Sequence, residues 1–109
     1  MSSQYIYVIC EEVATSSTVK IGFSADPERR LRQLQTAQSN PLVLIHKEEV
    51  PAASVRALER LIHKELRHRK ARGEWFTMSP EDAIAEIKHA MIRYGDIENL
   101  AQRVRSRTA

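Results

Sequence analysis

The sequence predicts an α/β domain: a small antiparallel sheet of three to four strands, opened by an N-terminal hairpin and flanked by helices. Three observations carry this. Residues 4–10, 19–23 and 42–50 are short runs rich in β-branched and aromatic residues, bounded by polar turn-forming stretches. Asp26-Pro27-Glu28 and Ser79-Pro80-Glu81-Asp82 are helix starts, each with a capping side chain, a first-turn proline and an early acid. Apolar residues at helical spacing follow both starts, and a chain of 109 residues supports one domain with a modest core.

In order, QYIYVIC at residues 4–10 is apolar on both faces, which predicts a strand covered on both sides. Glu11 to Thr18 is a polar loop, and Val19, Ile21 and Phe23 alternate with Lys20 and Gly22 in the second strand of a hairpin. A first helix is expected from Pro27 to about Ala37, broken by Ser39-Asn40-Pro41. Leu42 to Val50 is a third strand. A longer helix is expected from Ala52 to Arg69, closed by the basic run Arg67 to Arg72 and stopped by Gly73. Glu74 to Met78 is a short fourth strand or extended segment. The helix from Ser79 carries Ile84, Ile87 and Met91 and is expected to end at Gly95. Asp96 then caps a short final helix with Ile97, Leu100 and Val104, and the last residues fray. The expected division is a domain over residues 1–95 and a helical tail over 96–109.

The single cysteine, Cys10, excludes an internal disulfide and fits a reducing, cytoplasmic setting. No apolar run approaches the ~20 residues of a membrane helix, and the N-terminus lacks the basic and apolar regions of a signal peptide. Net charge is +3, but unevenly spread. Residues 29–72 hold eleven Lys and Arg against four acids, a local balance of +7, whereas the flanking segments are slightly acidic. Such a basic middle is either a solvated face or a polyanion-facing surface, most simply for nucleic acid. The four histidines lack zinc-ligand spacing, and there is no phosphate-binding glycine loop and no hydrolase serine elbow. Trp75 and Phe76 read as core residues.

Two charged residues fall on apolar helix faces. At ~100° per residue, Arg30 lies in the sector of Leu31, Leu34 and Ala37, while Arg29 and Arg32 point away. Arg30 either snorkels at the core edge or meets an anionic partner. Glu59 lies within the stripe of Val55, Ile62 and Leu66, where a glutamate is rare unless paired or bound to a metal. It is either half of an ion pair, with Arg30 as one candidate, or a metal-binding carboxylate at a cleft.

The order Tyr5-Ile6-Tyr7, Lys20-Ile21-Gly22, Arg30 and Glu59 resembles the GIY-YIG nuclease domain. The segments Ile21-Gly22, Asp26-Pro27-Glu28-Arg29-Arg30-Leu31, Leu58-Glu59, His63 and Gly73-Glu74-Trp75-Phe76 are most similar to the phage-type DNA-binding branch of that superfamily, described from phage T5. The likeness spans roughly residues 5–78. It implies a small antiparallel sheet flanked by helices and a phosphodiester-cleaving site. In that site Tyr7 would activate the attacking water, Gly22 would allow close backbone approach, and Arg30 would face the scissile phosphate. Glu59 would hold Mg²⁺ or Mn²⁺, and His63 would contact phosphate or the leaving group. Two departures stand out: Tyr5 occupies the glycine position of the first motif and Lys20 the tyrosine position of the second, while no late asparagine is found.

Lys20 has a physical rationale. Paired near Tyr7, an ammonium would favour the phenolate and lower the tyrosine pKa from about 10. The expected function is thus a metal-dependent DNA endonuclease with Tyr7, Lys20, Arg30, Glu59 and His63 in its site and no organic cofactor. Arg29, Arg32, Arg56, Arg60 and Arg67 would bind the DNA backbone. The alternatives are a non-cleaving DNA-binding module on the same fold and a protein-interaction scaffold.

Overall fold

The computed structural model describes residues 3–12 and 18–108, with side chains to residue 94. Five antiparallel strands form one sheet: β1 (Gln4–Glu11), β2 (Thr18–Ser24), β3 (Leu42–Val50), β4 (Lys70–Arg72) and β5 (Trp75–Thr77), in the spatial order β3-β1-β2-β5-β4. Three helices flank it: α1 (Pro27–Gln35), α2 (Val55–Glu65) and α3 (Pro80–Thr108). The α/β class, the antiparallel sheet and the N-terminal hairpin are as expected; the sheet has five strands rather than three to four, because Lys70–Arg72 adds β4. Most of the predicted loop between β1 and β2, residues 13–17, lies outside the described residues.

β1 is covered on both faces, as its double apolar pattern requires. On one side Ile6, Val8 and Cys10 pack with Val19, Ile21, Phe76 and the apolar faces of α2 and α3. On the other, Tyr7 and Ile9 pack with Leu31 and Leu34 of α1, Leu42, Leu44 and Trp75. Phe76 is fully buried and Trp75 partly so, in keeping with core roles. Register places Tyr7 opposite Gly22 and Ile9 opposite Lys20, so these four share the α1 face.

Both predicted caps form. The Arg29 N–H donates to Asp26 Oδ1 at 3.1 Å, and the Asp82 N–H to Ser79 Oγ at 3.1 Å. Four helix boundaries differ from the sequence expectation. α1 ends at Gln35, where the Thr36 hydroxyl donates to the Gln33 carbonyl at 2.7 Å. α2 starts three residues late, at Val55 after Ser54, and ends at Glu65 rather than Arg69. Buried Leu66 closes it, a 3₁₀ turn at Arg67–Arg69 follows, and Lys70–Arg72 turn away to pair with β5. Gly73 therefore does not stop a helix. It forms the β4–β5 turn with φ of 58°, a conformation that glycine adopts without a Cβ penalty. Ladder bonding outweighs the helical continuation that the basic run suggested.

Gly95 likewise does not end α3, which continues through it as one helix to Thr108. A glycine inside a helix costs only about 1 kcal/mol, and the residues on either side contain no proline. The separate final helix capped by Asp96 and the frayed end are therefore not observed in the backbone; the side chains of Ile97, Leu100 and Val104 lie outside the described residues.

Candidate functional site

β5 is short, and this shapes the site. Only Thr18, Val19 and Lys20 of β2 pair with it, so Ile21–Ser24 extend past the end of β5. The first residue of this open edge, Ile21, is bonded from outside: its N–H donates to the Glu74 carbonyl at 3.2 Å, and its carbonyl accepts from His63 Nε2 at 2.9 Å. Residues from α1, α2 and the β4–β5 turn approach β1 and β2 here.

Tyr7 is 1% exposed and lies across from Gly22. A Cβ built on Gly22 would sit 2.6 Å from the Tyr7 hydroxyl and 3.2 Å from Glu74 Oε2. The glycine thus makes room for a phenol and a carboxylate, which is a more specific task than the close backbone approach inferred from sequence. Burial pushes the Tyr7 phenol above its usual 10.0, with the carboxylates of Glu74 and Glu59 acting the same way; the Arg30 side chain opposes them. Arg30, partly buried on α1, is thus the cation that acts on the phenol, while Arg29 and Arg32 are exposed, as the helix geometry predicted.

The expected role of Lys20 needs correction. It faces Ile9 rather than Tyr7, and its ammonium lies 3.5 Å from Glu74 Oε2 and 5.9 Å from the Trp75 ring centre. Lys20 is 6% exposed. The net effect on Tyr7 is the reverse of the predicted lowering, because desolvation dominates. The sign fixes a stability test. A group whose pKa is raised on folding stabilises the fold below its unfolded value and loses that contribution as pH rises past it. Stability should therefore fall above about pH 10, and Tyr7→Phe should blunt the fall in urea melts taken between neutral and strongly alkaline pH.

Glu59 sits at the edge of the α2 apolar stripe, formed by buried Val55, Leu58 and Ile62, rather than at its middle. It has no ion-pair partner within 4 Å among the described residues, so the suggested pair with Arg30 does not form. Its carboxyl is raised above the usual 4.5, first by burial; Glu74 adds to this, while His63, Lys20 and Arg56 pull it back. His63 lies one turn along α2, with its ring edge-on to Phe76 at 4.9 Å. Because its Nε2–H is committed to the Ile21 carbonyl, only Nδ1 is left for other chemistry. Phe23, Arg56, Glu59, Arg60 and His63 line a shallow cavity of about 250 Å³ beside this edge. Arg56 stacks over Phe23 at 5.8 Å.

The fold thus gathers Tyr7, Gly22, Lys20, Arg30, Glu59 and His63 around the edge of β2. Arg56 and Arg60 flank Glu59, and Arg67 is exposed in the 3₁₀ turn beyond α2. Sequence reasoning missed Glu74, which touches Lys20 and acts on both Tyr7 and Glu59. Its only signal was the Gly73-Glu74 pair before the Trp75-Phe76 core residues, a turn that could bring an acid back to β2. A larger depression of about 610 Å³ between the end of α2 and α3 contains none of these residues. No described helix is long and apolar enough to cross a membrane.

No curated protein and no solved structure matches the chain. The family model of the T5orf172 domain matches residues 4–91. That match takes in all five strands and every residue gathered at the β2 edge, and it is compatible with a nuclease or DNA-binding role. On this evidence the chain belongs to the T5orf172 domain family.

Proposed function

We propose that the protein is a metal-dependent DNA endonuclease of GIY-YIG type, cutting at the open edge of β2. The observation that carries this is the convergence of Tyr7, Arg30 and Glu59, which come from β1, α1 and α2 and are far apart in sequence. A buried phenol acted on by a guanidinium, with a carboxylate that has no ion-pair partner within 4 Å among the described residues, is costly for stability and suited to phosphoryl chemistry.

The proposed divalent ion would rest on one carboxylate, Glu59. No cluster of three His, Cys, Asp or Glu side chains forms a metal cage among the described residues. In this reading Glu59 would be the one protein carboxylate on Mg²⁺ or Mn²⁺, an ion that commonly keeps several waters and takes substrate oxygens. When bound, such an ion supplies charge neutralisation at the phosphate and its leaving oxygen. Tyr7 acts as the base in its phenolate form, which Arg30 favours: it takes a proton from the attacking water as the new P–O bond forms, the P–O bond to the leaving oxygen breaks, and that oxygen takes up a proton from solvent. Arg30 stabilises charge on both the phenol oxygen and the transition-state phosphate. Arg29, Arg32, Arg56, Arg60 and Arg67 bind flanking phosphates.

A non-cleaving DNA-binding module is the second reading, favoured by Lys20 standing where the second motif of the resembled nucleases has its tyrosine. Supercoiled plasmid separates the two. Nicking that needs Mg²⁺ or Mn²⁺ and stops with a chelator supports the enzyme. Retention without nicking, weakening steeply with salt, supports the binder. Neutralising Arg29, Arg32, Arg56, Arg60 and Arg67 together should flatten the salt dependence of retention, by up to about one unit of slope per lost phosphate contact; an unchanged slope would place the DNA on another face.

A further inference from the structure

Lys20 is an ammonium with almost no access to solvent. A desolvated cation on a flexible stem keeps one position only if an anion holds it there. Its strand register puts it on the α1 face, two residues from Gly22 and on the same side as Tyr7. Trp75 supports it from the neighbouring strand.

Glu74 is delivered to the same place by a constrained turn. Gly73 takes the positive φ that reverses the chain, and the Glu74 carbonyl is bonded to the Ile21 N–H. Its carboxylate then lies 3.5 Å from Lys20 Nζ and crowds the point above Gly22 that the Tyr7 hydroxyl also occupies. A 3.5 Å approach to one carboxylate oxygen leaves the three-donor ammonium with hydrogens to give elsewhere. The Glu74 side chain is 41% exposed, so the carboxylate side of the pair faces solvent.

We propose that Glu74 is a positioning residue of this site: its carboxylate holds the Lys20 ammonium beside the Tyr7–Gly22 patch, so that one substrate phosphate oxygen meets the ammonium and the phenol together. This role rests on the nuclease reading. The charged groups acting on Tyr7 are Arg30 from α1, Glu59 from α2 and Glu74 from the β4–β5 turn, so neutralising Glu74 removes one of two anions near the phenol.

The test uses the full chain with ¹³Cζ-labelled tyrosine, as wild type, Glu74→Gln and Glu74→Asp, with Tyr7→Phe to assign the resonance. Single-turnover cleavage of duplex DNA and affinity for that duplex in Ca²⁺ are measured on the same proteins. Glu74→Gln should move the Tyr7 titration to lower pH. It should slow cleavage about 10- to 100-fold, as loss of a supporting partner typically does, with affinity unchanged. Glu74→Asp should recover most of the rate, and Glu74→Gln should cost nothing further in a Lys20→Met background. An unmoved Tyr7 titration overturns the placement of Glu74 whatever the cleavage result. A moved titration with cleavage unchanged or faster overturns the positioning role. If wild type does not cut DNA at all, the nuclease reading falls and the positioning role with it, while the titration still decides whether Glu74 governs this patch.

Discussion

Gly22→Ala is expected to damage both the fold and the site. The added methyl would lie 2.6 Å from the Tyr7 hydroxyl and 2.8 Å from Cζ of the same ring. Tyr7 cannot withdraw, because it is 1% exposed and packed with Ile9, Leu31 and Leu34. Overpacking of this kind costs about 1–3 kcal/mol. It also displaces the phenol, and a shift of ~1 Å at a reacting group can cost about 10²-fold in rate. Chemical denaturation and a cleavage assay would show both losses. Tyr7→Phe in the same background should restore part of the stability, since it removes the closest atom, but none of the activity. Native stability and rate in the single variant would mean that β1 and β2 do not meet as described.

Glu59→Gln should separate stability from function. The folded state raises the Glu59 carboxyl above 4.5, chiefly by burial, so the charged form is disfavoured at neutral pH. Such a group supports the fold only below its ordinary value and weighs against it as pH rises through the folded one. Glutamine has nearly the same shape and no charge. Melting temperature should therefore rise at pH 7, and the gain should vanish near pH 4, where Glu59 is protonated in both states. Metal-dependent cleavage should drop by at least ~10²-fold, since the carboxylate that would hold the ion is gone. A variant that is less stable at pH 7 would show that Glu59 has a structural partner after all.

Much of this was legible in residue order. Alternation at Tyr5–Cys10 and Val19–Phe23 determined the central hairpin and its two covered faces, because each face needed its own apolar layer. Helical spacing turned Arg30 inward and Arg29 and Arg32 outward, and the exposures agree. It also singled out Glu59, although a straight helical wheel placed it deeper than it lies, since the sheet edge ends beside it.

What escaped the reading depended on contacts between distant segments. Lys70–Arg72 is exposed, basic and three residues long, so nothing in its composition distinguishes it from the end of a helix. Only pairing with Trp75 and Phe76 makes it a strand. With β4 unseen, Gly73 resembled a helix stop and Glu74 had no reason to approach β2. The pairing of Lys20 depended on the same turn. Its ammonium was assigned to Tyr7 by proximity along the hairpin, yet register places it across from Ile9 and electrostatics draws it to Glu74. Local patterns specified the sheet centre, and the turn that completes its charge balance could be found only in three dimensions.

The central claim is that Tyr7, Arg30 and Glu59 form one phosphodiester-cleaving site. It is tested most directly by single-turnover cleavage of duplex DNA in Mg²⁺ or Mn²⁺, comparing wild type with Tyr7→Phe, Arg30→Ala and Glu59→Ala, and with duplex affinity measured separately in Ca²⁺. A shared site predicts cleavage by wild type, a severe rate loss in each variant, and Tyr7→Phe binding DNA as tightly as wild type. Wild-type rates in all three variants, or binding without cleavage in the wild type itself, would contradict it.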